Sequence, residues 1–211
     1  MRYLRRKGYW VRGVDIRRPQ FAESPAEEFW ILDLRKAEEC RIALLQHPDG
    51  FDEVYQLAAN MGGIGYIHEA ESDIVHDNAL INLNVAKAAV ESNVPRYFFS
   101  SSVCVYPDME PGDPQLTEAA AYPARPENEY GWEKLYTERL LMTYARHYPI
   151  TVRIARFANT YGPEAEWRGG REKAVAAISR KVIQAHNGDG VAAIWGDGTA
   201  TRSYTYVRAM V

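Results

Sequence analysis

Apolar positions along the chain fall into short strand-like runs that alternate with longer stretches of helical period. WVRGVD (10–15) alternates and ends on an acid, which predicts a strand; FWILDL (29–34) predicts a second and EVYQLAA (53–59) a third. Between the first two lies a polar loop with Pro19 and Pro25. In residues 35–46, Ala37, Ile42, Ala43 and Leu45 recur near every 3.6 positions, so a helix is expected there. The glycines Gly62, Gly63 and Gly65 close the third strand, and residues 73–92 form a long apolar-periodic helix. RYFFSSS (96–102) reads as a fourth strand, and Pro107, Pro111, Pro114, Pro123 and Pro126 punctuate a long loop. Residues 127–147 return to a helix, TVRIARF (151–157) to a strand and 172–186 to a helix. VAAIW (191–195) and SYTYV (203–207) resemble late strands.

Strands alternating with helices of this length imply an α/β fold, a parallel sheet covered on both faces, with the doubly wound topology leading. A dinucleotide-binding sheet of that kind opens with a strand and a Gly-rich turn into a helix. RYLRRKGYWVRGVD reads instead as the end of that helix followed by the second strand, and the chain stops on a strand-like segment. The expectation is a chain cut at both ends.

Composition narrows the classes further. Over 211 residues, 46% are hydrophobic and 25% charged, which excludes a disordered or collagen-like chain. No stretch approaches the ~20 apolar residues of a membrane span, and the first residues are too polar for a secretory signal. A formal net charge of −3 gives no global basic field for nucleic acid. Cys40 and Cys104 make neither a metal pattern nor a disulfide framework, so the expected setting is the reducing cytoplasm. Charge is nevertheless uneven: Arg2, Arg5, Arg6, Lys7, Arg12, Arg17 and Arg18 stand against Asp15 alone, as a solvated helix end or an anion site.

Four places carry candidate chemistry. Tyr130 and Lys134, in YGWEK, lie four apart and share a helix face; an ammonium beside a phenol lowers the phenol's pKa and suits it to move an alcohol proton. Ser102 and Cys104, two apart at the exit of the fourth strand, point the same way if the segment stays extended. That would put a hydroxyl and a thiol at the carboxyl edge of the sheet, where open α/β folds bind ligands; a buried, inert cysteine is the alternative. Asp15, ending a strand, suits a ribose-binding acid that favours NAD over NADP, although Arg17 and Arg18 could receive a 2′-phosphate. Asp33 and Leu34 end the next strand and could flank an adenine, with Asp33 equally a helix cap. GGREKA (169–174) sets two glycines before a helix whose free N–H groups attract anions, with Lys173 on its first turn.

Taken together, LAANMGGIGYI (57–67), SSSVCVYP (100–107), YPARPENEYGWEKL (122–135), RFANTYGP (156–163), WRGGREKA (167–174) and WGDGTATRSYTYV (195–207) resemble the extended short-chain dehydrogenase/reductases of the nucleotide-sugar epimerase and dehydratase group. Within it the chain is most similar to the GDP-mannose 3,5-epimerases. The resemblance implies a Rossmann-like NAD-binding domain over residues 1–165, without its first strand and Gly-rich turn, and part of a substrate-binding region over 166–211. It implies Tyr130 as the acid/base coupled to hydride transfer and Lys134 as its partner, bonded also to the nicotinamide ribose. Ser102 would hold the sugar hydroxyl, and Cys104 with Lys173 would exchange protons at carbon. Gly62, Val103, Asn159, Glu172, Ala174, Lys181, Ala200, Thr201 and Arg202 would contact the sugar nucleotide. Asp15, Asp33, Leu34 and the Leu57 and Ala58 backbone would line the cofactor. A cytoplasmic homodimer acting on a GDP-hexose, with neither nucleic acid nor membrane as partner, is implied as well.

The residue set has a chemical logic. Oxidising a C4 hydroxyl to a ketone acidifies the protons on C3 and C5, which two groups on opposite faces can then exchange. A plain 4-epimerase needs only the serine, tyrosine and lysine, and 4,6-dehydratases of this fold usually carry an Asp-Glu pair where this chain has Val103 and Cys104. An epimerase-reductase of the GDP-fucose synthase kind shares the GGI and CVYP features but consumes NADPH. An inert or merely binding fragment of the same fold is the remaining alternative, and the missing glycine fingerprint predicts little activity from residues 1–211 alone.

Overall fold

A computed structural model describes residues 1–45, 47–109, 116–199 and 201–210. In chain order the elements are α1 (Arg2–Arg6), β1 (Arg12–Asp15), β2 (Glu28–Ile31), α2 (Ala37–Leu45), β3 (Glu53–Gln56), α3 (Ile64–Glu69), α4 (Glu71–Glu91), β4 (Arg96–Ser102), α5 (Glu129–His147), β5 (Thr151–Phe157), β6 (Asn159–Tyr161), α6 (Ala174–His186) and β7 (Tyr204–Tyr206). They form two compact units: Met1–Asn60 with Ser72–Phe157, and Met61–Glu71 with Ala158–Val211.

In the first unit every strand pairing is parallel. β1 pairs with β2, and β4 runs between β3 and β5. β4 is apolar on successive residues because helices cover a central parallel strand on both faces. Its Tyr97 and Phe99 are fully buried, in one core with Ile81, Val85 and Ala89 of α4, Leu141 of α5 and Cys40 of α2. Burying a side chain such as Phe99 contributes on the order of 2–3 kcal/mol. α4 stops where Asn93 takes a left-handed φ of 54°, with Val94 N–H donating to Ala89 C=O and Asn93 N–H to Val90 C=O. That is the reciprocal closure that turns a chain out of a helix and into a strand. α5 starts at Asn128, whose side chain accepts from Gly131 N–H at 2.9 Å. These two caps set the positions from which β4 and α5 approach each other.

In the second unit β6 pairs in parallel with β7. Gly63 begins α3, donating its N–H to Arg171 C=O at 3.0 Å. A Cβ there would strike the Glu172 carbonyl, which is why this close approach takes glycine.

The α/β class and the parallel pairing agree with the sequence reading, and three local expectations need correcting. VAAIW forms no strand: Val191, Ile194 and Trp195 are largely exposed, and apolar residues with no ladder partner do not hold an extended edge. β2 ends at Ile31, so Asp33 and Leu34 lie in the turn into α2, where Glu39 accepts the Asp33 N–H. β3 ends at Gln56, which leaves Leu57 and Ala58 in the exit loop. No helix among the described residues is long and apolar enough to cross a membrane.

Candidate active site

At the carboxyl end of β4 the chain leaves Ser102 in extended conformation and turns through a 3-10 helix, Val103–Val105. Ser102 and Cys104 therefore do not share one face of a strand, as an extended segment would require. The turn brings them together instead: Cys104 N–H donates to Ser102 Oγ at 3.2 Å. The first turn of α5 packs against this segment at Gly131, where a Cβ would collide with the Cys104 carbonyl. Glu127 N–H donates to the Cys104 and Tyr106 carbonyls, closing the same contact. Gly131→Ala ought to gain about 1 kcal/mol of helix propensity. Overpacking against backbone outweighs that, so a net loss of about 1–3 kcal/mol is expected, together with faster alkylation of Cys104 as its turn shifts. Urea denaturation and iodoacetamide kinetics read the two effects.

Tyr130 and Lys134 lie on the buried face of α5, 7% and 2% exposed. Lys134 Nζ donates to Ser100 C=O at 3.0 Å and sits 4.7 Å from the Phe99 ring centroid and 5.6 Å from that of Tyr130. Burial pushes the Tyr130 phenol well above its ordinary range; Cys104 and Glu133 add to the rise and a hydrogen bond to Ser102 opposes it. The sequence expectation of a lowered phenol pKa is thus corrected for the protein alone. Desolvation outranks the neighbouring ammonium, which burial itself disfavours: the Lys134 pKa is lowered, with Glu133 resisting the fall. Burial likewise raises the Cys104 thiol, which is therefore protonated at neutral pH.

The loop after β3 is held by buried amides. Gln56 accepts from Ala58 N–H at 3.0 Å and donates to Ala58 C=O at 3.1 Å, while Asn78 of α4 clasps Asn60 through N–H and C=O at 2.7 and 3.1 Å. Leu57 beside them is exposed. Asp15 stands at the carboxyl end of β1 and accepts from Arg17 N–H at 3.0 Å. Asp33 is engaged by Arg35 at 2.9 Å, which lowers its carboxyl pKa, and Arg35 also pairs with Asp77 at 3.2 Å.

The second unit holds a cavity of about 590 Å³ that Gly62, Asn159 and Lys173 help to line. Tyr161, Tyr204, Tyr206 and Arg171 line it too. Tyr161 and Tyr206 meet with ring centroids 5.5 Å apart and planes tilted by 51°, and the Arg171 guanidinium lies 4.0 Å from the Tyr66 ring centroid. Gly169 and Gly170 take φ of +96° and +86°, which only glycine adopts without strain, and deliver the chain to Lys173 at the start of α6.

Comparison with known proteins gives this geometry a context. The model of the NAD dependent epimerase/dehydratase family matches residues 1–211. The chain belongs to that family. It is 39% identical over 211 residues to a GDP-mannose 3,5-epimerase of Arabidopsis thaliana, matching 98% of this chain and 54% of that protein. To a GDP-L-fucose synthase of Sinorhizobium fredii it is 30% identical over 177 residues, 83% of this chain and 56% of that one. The chain thus spans about half the length of these curated relatives. A UDP-glucose 4-epimerase from Thermotoga maritima, crystallised with UDP-glucose, shares the fold with a TM-score of 0.80 at 22% identity, over 99% of this chain and 65% of that one.

Within this epimerase/dehydratase chain, the remaining expected site residues have definite places. Val103 is exposed on the turn between Ser102 and Cys104. Glu172 accepts from Gly170 N–H at 2.8 Å and pairs with Arg180 at 2.7 Å, so its carboxylate, held below the usual range, braces the approach to α6. Ala174 is the first residue of α6, and Lys181 donates to Ala193 C=O at 2.8 Å. Thr201 C=O accepts from Arg202 at 2.8 Å, while Ala200 lies outside the described residues. The tyrosines of the cavity were not singled out in the sequence, although NTYGP and SYTYV carry them. The amide clamps were missed too, although Asn78 and Asn82 break an apolar helix face four residues apart.

Proposed function

We propose that the protein is an NAD-dependent nucleotide-sugar epimerase of the GDP-mannose 3,5-epimerase type, cytoplasmic and homodimeric, with residues 1–165 serving the cofactor and 166–211 part of the substrate region. The observation that carries this reading is the convergence of Ser102, Cys104, Tyr130 and Lys134 at the carboxyl end of β4. A lone serine, tyrosine and lysine would serve a simpler alcohol oxidation; the adjoining thiol is the addition that carbon-centred proton exchange requires.

The residues present fit the ribose and adenine portions of a nicotinamide dinucleotide. Lys134 has three N–H donors and the described residues accept one of them, which leaves donors for ribose hydroxyls. Asp15 offers a carboxylate at a strand end, and Asp33, Leu34, Leu57 and Ala58 complete the proposed lining. Bound there, the cofactor would accept a hydride from C4 of the sugar and return it.

Tyr130 takes the C4 hydroxyl proton and later restores it, and Ser102 orients that hydroxyl. Lys134 holds the ribose and supplies positive charge toward the phenolate. Once C4 is a ketone, Cys104 and Lys173 exchange the protons at C3 and C5. Gly62, Val103, Asn159, Glu172, Ala174, Lys181, Ala200, Thr201 and Arg202 are assigned to the sugar nucleotide. Exposed Trp132, Tyr136 and Met142 on α5 suit a second copy of the chain.

The test is incubation of the complete gene product with GDP-mannose and NAD alone. Epimerised GDP-hexoses without net nicotinamide reduction are expected. Turnover that instead requires NADPH, with a change in the oxidation level of the product, would assign the chain to the epimerase-reductase alternative. Neither outcome, with cofactor bound, would leave a binding protein.

A further inference from the structure

A chain of buried polar side chains runs from the last residue of β3 to α5 and ends on the carboxylate of Glu133, the residue before the proposed catalytic lysine. Gln56 Nε2 donates to Asn82 Oδ1 at 2.9 Å, and Asn82 Nδ2 donates to Glu133 Oε1 at 2.7 Å. Thr137 Oγ1 donates to the same oxygen at 2.8 Å. Glu133 is 5% exposed, and its second oxygen, Oε2, is buried without a hydrogen-bond partner among the described residues. Two donors converge on Oε1, and a proton on Oε2 would have no acceptor there. An ionised carboxylate this deep needs a countercharge. Lys134, next in the chain and 2% exposed, has a neutral carbonyl as its hydrogen-bond acceptor.

We propose that Glu133 is a positioning residue: its carboxylate keeps Lys134 in the ammonium form, and so keeps the Tyr130–Lys134 pair competent for proton transfer. The role rests on the epimerase reading given above. Among the described residues, the other charged or titratable groups around the pair do not serve. On α5, Tyr130 is neutral and Glu138 is bound to Arg156 of β5 at 2.6 Å. The turn after β4 contributes Cys104, a neutral thiol. β4 presents the Ser100 carbonyl and the Ser101 and Ser102 hydroxyls, and α4 presents the Asn82 amide. Burial disfavours the ammonium and Glu133 opposes that effect, in the same sense as the geometry.

Glu133→Gln tests the charge while keeping an acceptor for Asn82 and Thr137. Asn82→Ala removes the network contact and leaves the charge. Lys134 is followed by NMR titration of its Cε resonance in labelled protein, assigned with Lys134→Arg, which needs no substrate. The Lys134 midpoint is expected to fall by about one pH unit in Glu133→Gln and to hold in Asn82→Ala. In turnover, the alkaline limb of kcat/KM moves down by the same amount in Glu133→Gln alone. An unmoved midpoint in Glu133→Gln, or an equal fall in Asn82→Ala, overturns the proposal by making Glu133 a structural anchor. A fallen midpoint in a protein that turns over no GDP-hexose preserves the charge pairing and overturns the epimerase reading instead.

Discussion

In the complete gene product, the proposed mechanism predicts that Cys104→Ala lowers epimerisation on the order of 10³-fold while the C4 ketone still forms. The two halves separate because different groups serve them. In the proposed mechanism, removing the C4 hydroxyl proton calls on Tyr130, Lys134 and Ser102, none of which the substitution replaces. Exchanging a proton at carbon calls on a group that can both give and take it. Burial holds the Cys104 thiol above its ordinary pKa, so at neutral pH it waits as an acid beside Ser102. Alanine fills nearly the same space and leaves the Cys104 N–H to Ser102, so a stability loss below about 1 kcal/mol is expected. Solvent deuterium incorporation at C3 and C5 reports the lost step, and borohydride trapping of the keto sugar reports the surviving one. Serine at this position should recover little, since its hydroxyl is a far weaker acid than a thiol. Wild-type deuterium exchange in Cys104→Ala would remove the thiol from the mechanism.

The elements read best from the sequence were those whose signals are local. β4 and β5 were predicted with the bounds the structure gives them, because apolar runs framed by Pro95 and Pro149 leave little choice of register. Tyr130 and Lys134 were legible for a similar reason, as a four-residue spacing on a helix fixes their common face. What failed depended on partners far along the chain. VAAIW has the composition of a strand, yet a strand exists only where another backbone accepts it. β6 has three residues and finds its partner at β7, some forty positions later, so no short window reveals it. The phenol pKa went the other way because spacing shows a neighbouring charge and says nothing of burial. Gln56 and Glu133 look like ordinary surface residues until the fold buries them, and Asn82 leaves a trace in the sequence only as a break in an apolar helix face.

Removing one half of the Glu138–Arg156 pair should produce the largest stability loss of any single substitution considered. Arg156 reaches Glu138 through two nitrogens, Nε to Oε1 at 2.9 Å and Nη2 to Oε2 at 2.6 Å, and Ser101 Oγ donates to the same carboxylate. The side chains are 16% and 4% exposed. The Arg156 pKa is raised, chiefly by the hydrogen bonds to Glu138. Its remaining nitrogen, Nη1, donates to the Tyr106 hydroxyl at 3.1 Å and the Glu118 carbonyl at 2.8 Å. Arg156→Ala therefore strands a buried carboxylate and cuts the tie between β5 and the loop that carries Cys104 toward α5. A loss of about 3–5 kcal/mol follows from the uncompensated charge, against a total stability of about 5–15 kcal/mol for a domain. In urea that is a fall in midpoint of roughly 2 M. Arg156→Lys should fall between, because a point charge cannot reproduce the two-pronged contact. Replacing both partners with apolar residues, Glu138→Leu with Arg156→Met, should cost less than Arg156→Ala alone, since no charge is then left without its opposite. The freed Glu118 carbonyl would still loosen the loop, so the double variant is expected to keep the fold and lose activity. If it denatured as early as Arg156→Ala, packing around the guanidinium, rather than charge compensation, would be what holds β5 to α5.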